Sequence, residues 1–214
     1  AGDKVGVRVA LEVEAHAERA RGRMDELGIA SACFVGHGMG GSVAQAVALA
    51  FPERVTRLCL VNSTAFECWP RRAARMARVL SATPIGRMLG APLLSGLVHG
   101  SLLSGFSDQE IGRRALDKSL GAFNSRLGVD ALVAQLRAMH DPAAEIIGAE
   151  LGHLTQPTAI IWGQRDPYLP VALAYRLQRA ITGATVEIVE GARHFTPEDA
   201  AERVAAAIAQ LLRR

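Results

Sequence analysis

Lysine is almost missing from this chain: Lys4 and Lys118 are its lysines, and arginine carries the rest of the basic charge. With a formal net charge of +3 and the arginines scattered along the sequence, there is no clustered basic face to mark a nucleic-acid partner. Cysteine is equally sparse. Cys33, Cys59 and Cys68 form an odd, unpatterned set, and two of them lie inside apolar strand-like runs. They read as buried thiols in a reducing, cytoplasmic compartment rather than as disulfides. No group of residues has metal-ligand spacing, so no metal and no cofactor is expected. Ala1 to Lys4 opens no apolar leader with a cleavage site. The stretch Met88 to Phe106 is uncharged and long enough to suggest a membrane span, but its glycines, its serines, Pro92 and His99 break it into short pieces. It is expected to be an apolar lid over a pocket, and no membrane span is expected. There is no internal repeat and no low-complexity tract.

What is present is a chain of 214 residues, 50% hydrophobic and 21% charged, enough for one sizeable globular domain. Leu11 to Leu27 has the apolar periodicity of an amphipathic helix, closed by Gly28. Val5-Gly6-Val7-Arg8-Val9 before it alternates like a strand or serves as an extended lead-in. Ala32-Cys33-Phe34-Val35 is a short buried strand, Val43 to Ala50 a tightly packed helix, and Val55 to Asn62 a second strand. Strand, helix and strand at this distance form a βαβ unit, which implies a parallel sheet with helices on both faces and a site at the carboxyl edge. From Ser63 to Leu154 the pattern is helical, broken by Pro84, Gly86, Gly90, Pro92 and Gly121. Within it Arg71, Arg72, Arg75 and Arg78 read as a solvated helix face, and Ser107-Asp108-Gln109-Glu110 as the capped start of a helix. Sheet-like sequence resumes at Pro157 to Trp162, followed by a helix over Val171 to Ile181, a strand over Val186 to Val189 and a last helix over Pro197 to Leu212.

The densest signal is Val35-Gly36-His37-Gly38-Met39-Gly40-Gly41-Ser42, between the first strand and its helix. Its glycines permit a tight turn and close helix approach, and the helix N-terminus turns free N–H groups toward developing negative charge. Gly36-His37-Gly38-Met39-Gly40 has the G-x-S-x-G spacing of a nucleophile elbow, with glycine at the central position. Two further polar signals follow strands: Gly163-Gln164-Arg165-Asp166-Pro167 and Glu190-Gly191-Ala192-Arg193-His194.

Together these segments resemble the α/β-hydrolase superfamily, in its own order of nucleophile, acid and histidine. The resemblance implies an α/β fold with a mostly parallel sheet: residues 1–63 as the first part of the core, 64–155 as an inserted helical cap, and 156–214 as the second part. It implies His194 as general base, Asp166 as the acid that orients it, Gly38 at the nucleophile position, and the Met39 N–H as one arm of an oxyanion hole. His37 is an elbow neighbour and not a base, while His16, His99, His140 and His153 take no role. Two features depart from the family pattern. Gly38 has no side chain, so it is neither the serine of esterases nor the aspartate of dehalogenase-like and epoxide-hydrolase-like members; Cys68-Trp69-Pro70 is slightly closer to the aspartate group. The chain also begins after the strands that normally precede the helix at Leu11, so an N-terminally incomplete sheet with an exposed edge and self-association is expected. The expected function is that of a hydrolase-like protein for a small, largely apolar ester, epoxide or halide, its base and acid kept and its activity weak or lost. The alternative is a ligand-binding protein on the same fold.

Overall fold

Leu58, Cys59, Leu60 and Val61 are all apolar and completely buried, so this stretch lies inside a sheet covered on both faces. The computed structural model describes residues 3–66, 99–120 and 142–214. Four strands, β1 (Ala32–His37), β2 (Val55–Val61), β3 (Thr158–Gly163) and β4 (Thr185–Val189), form a sheet in the order β1-β2-β3-β4, and every neighbouring pair is parallel. Side-chain alternation divides the core. Leu58, Leu60, Ile160 and Trp162 face a cluster built with helices α1 (Asp3–Glu26), α2 (Met39–Ala50), α4 (Pro142–Glu150) and α5 (Ala172–Ala180). Cys59, Val61, Ala159 and Ile161 face Val204, Ala207 and Leu211 of α7 (Ala201–Leu212) on the other side. The indole of Trp162 is fully buried, and its N–H donates to the Leu169 carbonyl at 3.1 Å, so the largest core side chain also leaves no polar atom orphaned.

Two sequence expectations change at helix ends. Val5–Val9 is neither a strand nor an extended lead-in: α1 begins at Asp3. Once the strongly amphipathic stretch after Leu11 has nucleated a helix, each residue added upstream gains a hydrogen bond without a second nucleation cost. The far end behaves as expected, with Gly28 at φ 66° and the Ile29 N–H returning to the Met24 carbonyl at 2.9 Å. The last helix is two helices. α6 (Thr196–Asp199) is tied back by the Asp199 carboxylate, which accepts the Arg193 N–H at 2.9 Å, and the chain breaks at Ala200 (φ −147°, ψ 50°) before α7 starts along the sheet.

The chain divides into two units, Ala1–Trp69 with Asp141–Arg214, and Pro70–His140. In the second unit, residues 99–103 are helical and α3 spans Gln109–Leu120. Asp108 caps α3, its Oδ1 accepting the N–H groups of Glu110 (2.7 Å) and Ile111 (3.2 Å). Among the described residues of this unit Phe106 and Leu116 are the buried hydrophobic ones, and α3 comes close enough to Leu103 and Phe106 at Gly112 that a side chain there would collide. Cys68-Trp69-Pro70, the arginines from Arg71 to Arg78, His140 and the part of the apolar stretch before His99 lie outside the described residues. Among the described residues no helix is long and apolar enough to cross a membrane. Cys33 is half-buried and Cys59 buried, both as free thiols.

Candidate active site

The carboxyl ends of four adjacent strands each deliver one part of the site: β1 runs into Gly38, β2 into Asn62, β3 into Asp166 and β4 into His194. The elbow comes first. Gly38 has φ 56° and ψ −123°, a region sparsely open to residues with a Cβ, and Met39 opens α2 directly after it. A side chain at Gly36 would overlap the Gly40 carbonyl, and one at Gly41 would overlap the Ser63 hydroxyl, so these two positions need glycine for the helix to approach the strands. As the first helical residue, Met39 carries one of the N–H groups that the helix's own ladder does not use.

His194 and Asp166, 28 positions apart, meet at 2.8 Å between Nδ1 and Oδ2. Nδ1 is thereby the protonated nitrogen, because an ionised carboxylate only accepts. Nε2 faces the elbow: a Cβ on Gly38 would sit 3.6 Å from it, in ordinary van der Waals contact, and among the described residues the other neighbour within 4 Å would be His194 Cε1. The Asp166 side chain is fully buried and that of His194 is 14% exposed. Burial pushes the Asp166 carboxyl up, but the hydrogen bond and charge of His194, the Leu169 N–H and the Asn62 amide together hold it below the ordinary 3.8. Its Oδ1 accepts the N–H groups of Tyr168 (2.8 Å) and Leu169 (2.9 Å), which closes the turn after β3 around the carboxylate.

His37 supports this arrangement from below. Its Nε2–H donates to the His194 carbonyl at 2.9 Å, and burial, with the proximity of His194, lowers its pKa to about 4. It is therefore neutral near pH 7 and holds the histidine loop. Tyr168 and Phe195 stand edge-on to the His194 ring, at 4.9 and 5.2 Å between centroids. His153 pairs instead with Glu150 at 2.9 Å.

The structure thus brings Gly38, Met39, Asp166 and His194, all named from sequence, to one sheet edge. Sequence reading missed Asn62. Fully buried at φ 40°, it donates from Nδ2 to Asp166 Oδ2 (2.7 Å) and to the Arg193 carbonyl (3.3 Å), while its Oδ1 accepts the Gly163 N–H (3.2 Å) and the Thr196 hydroxyl (2.6 Å). The available signal was its place as the first polar residue after an apolar strand that leads to the carboxyl edge. Among the described residues no cluster of His, Cys, Asp or Glu is arranged to hold a metal ion.

A family model described as alpha/beta hydrolase fold matches residues 10–201. The chain belongs to the α/β-hydrolase family. As an α/β hydrolase it is 29% identical to an uncharacterized protein of Mycobacterium tuberculosis, in a match that covers 90% of this chain and 59% of that protein. It is 27% identical to a 2-hydroxy-6-oxononadienedioate/2-hydroxy-6-oxononatrienedioate hydrolase of Burkholderia vietnamiensis, covering 90% of this chain and 66% of that one. The chain thus spans about three-fifths to two-thirds of the length of these relatives. Among solved structures, 2-hydroxy-6-oxo-6-phenylhexa-2,4-dienoate hydrolase of Rhodococcus sp. strain RHA1 superposes with a TM-score of 0.76 at 19% identity, covering 96% of this chain and 72% of that one. At that identity the likeness bears on the fold.

Proposed function

We propose that this α/β hydrolase acts on a small, largely apolar carbonyl compound by direct general-base hydrolysis, slowly and without a covalent intermediate. The observation that carries the reading is the His194–Asp166 pair aimed at Gly38: Nδ1 is held by the carboxylate, Nε2 faces the elbow, and the residue there has no reacting side chain. In this reading His194 Nε2 removes a proton from a water molecule as that water attacks the substrate carbonyl. Asp166 keeps the ring in the productive tautomer and balances the imidazolium that forms. The Met39 N–H stabilises the developing oxyanion at the N-terminus of α2. Collapse of the tetrahedral species breaks the bond to the leaving group, which takes the proton back from His194.

The name of the Burkholderia vietnamiensis relative, a hydrolase of a 2-hydroxy-6-oxo acid, favours a carbonyl substrate over the epoxide or halide that an elbow aspartate would suit. Because Gly38 supplies no nucleophile, enclosure of such a molecule without turnover is the competing reading. The test is turnover of a 2-hydroxy-6-oxodienoate and of an activated ester by the native chain and by His194→Ala. General-base action predicts slow hydrolysis that falls about 10²-fold or more in the variant. Equal rates in the two proteins would reject the base role, and saturable binding without any turnover would make the chain a binding protein.

A further inference from the structure

We infer that Asn62-Ser63-Thr64 is a positioning strap across the site, in which Asn62 fixes the carboxylate that orients His194 and Thr64 aims the Met39 N–H. The inference rests on the site roles proposed above, but it concerns residues other than the reacting groups.

The Thr64 end is read from the Gly38 carbonyl. That oxygen accepts three donors: the Thr64 N–H at 3.0 Å, the Thr64 hydroxyl at 3.2 Å and the Gly41 N–H at 3.1 Å. The peptide bond between Gly38 and Met39 is planar and trans, so its N–H points opposite to its carbonyl. Pinning the oxygen therefore fixes the direction of the Met39 N–H. Thr64 is itself fastened: the Ser42 hydroxyl lies 2.6 Å from Thr64 Oγ1, and the Thr64 carbonyl accepts from Gln45 at 3.2 Å and from Ser63 at 2.9 Å. Ser63 in turn accepts from Gln45 at 2.9 Å. Ser42, Gln45, Asn62, Ser63 and Thr64 are all at most 4% exposed, so their hydrogen bonds compete little with water.

The Asn62 end joins both catalytic loops. One amide nitrogen reaches the acid and the carbonyl of Arg193, the residue before His194, while the amide oxygen holds Gly163 at the end of β3 and Thr196 just beyond His194. Asparagine suits this position because it offers a donor and an acceptor without charge and tolerates φ 40°. Among the described residues the titratable groups that reach Asp166 are His194, in contact, and His37, more distant.

Two NMR measurements on the full chain test the strap without any need for turnover. The first is the carboxyl ¹³C titration of Asp166. Asn62→Gly removes the amide at no cost in backbone strain, and Asn62→Asp keeps the acceptor but replaces the donor by a second carboxylate. The midpoint is expected to rise in the glycine variant, and further in the aspartate variant, where two adjacent carboxyls share a proton. The second is the ¹⁵N order parameter of Met39. It is expected to fall from about 0.85, the rigid-backbone value, in Thr64→Val, and to stay there in Thr64→Ser. A purely structural role predicts an unmoved Asp166 midpoint in Asn62→Gly and equal order parameters in both Thr64 variants; that result overturns the strap. Expected NMR shifts in a chain without turnover would reject the catalytic reading and leave the strap standing.

Discussion

Replacing Asp166 by asparagine changes one atom and removes the acceptor on which the site is built. Oδ1 survives, so the N–H groups of Tyr168 and Leu169 keep their partner. The new amide nitrogen takes the place of Oδ2, where it meets two donors: Asn62 Nδ2 at 2.7 Å and His194 Nδ1 at 2.8 Å. His194 has an escape. It can move its proton to Nε2 and accept at Nδ1, which is the wrong tautomer for a base and costs on the order of 10⁴ in rate in the analogous triad change. Asn62 has none, because its oxygen is already committed to Gly163 and Thr196. One fully buried donor is left facing another, at a cost of about 1–3 kcal/mol, with the lost charge-assisted bonds adding to it. For a chain of this size each kcal/mol lowers the melting temperature by about 2–4 °C. Thermal unfolding at pH 7 is therefore expected to show Asp166→Asn melting about 5 °C or more below the native chain. An unchanged melting temperature would refute the claim that the Asn62 amide and His194 converge on a buried carboxylate.

Acid should unfold the chain in two windows. His37 has an ordinary pKa of 6.5 and a folded value of about 4, so protonation favours the unfolded state, and its contribution is complete above pH 6.5 and is lost as pH falls toward 4. That window is worth on the order of 3 kcal/mol, and denaturant melts of His37→Gln are expected to be flatter across it. Asp166 is held below 3.8, so the stability it confers is present above 3.8 and is lost only at lower pH; Asp166→Asn should leave the His37 window in place. Among the described residues β1 pairs with β2 alone, and Val35 on it is 49% exposed. Size-exclusion chromatography of this chain is expected to show self-association that Val35→Lys reduces, as a charge on an open edge does.

The sequence made the strands legible wherever four or more apolar residues ran together, because burial on both faces leaves no polar position to confuse the period: Leu58–Val61 and Ala159–Trp162 are the examples. It revealed Gly38, Asp166 and His194 because each sits in a distinctive loop just beyond a strand. The Asn62-Ser63-Thr64 segment was invisible for the opposite reason. Apart from Ser63 to Thr64, its side-chain hydrogen bonds reach residues 18 to 134 positions away, and a short polar run after a strand looks the same whether it meets solvent or a buried carboxylate. Val5–Val9 was misread because period-two alternation over five residues is too weak a signal against a helix that propagates into it. The break at Ala200 was missed because the tether from Asp199 to the Arg193 N–H is tertiary, with no local marker beyond Pro197.

Intact-mass analysis of Gly38→Ser after exposure to an activated ester tests the central claim most directly. The position has room for the side chain, since its Cβ would meet His194 Nε2 at 3.6 Å, and the strain of a non-glycine residue at φ 56° costs about 1–3 kcal/mol, which a folded chain can bear. A hydroxyl there lies within reach of the base. The account predicts that the native chain gains no mass, that Gly38→Ser gains one acyl group mapped to residue 38, and that adding His194→Ala abolishes it. A folded Gly38→Ser protein that gains no acyl group, or gains it on another residue, would contradict the reading of this turn as an elbow facing its base.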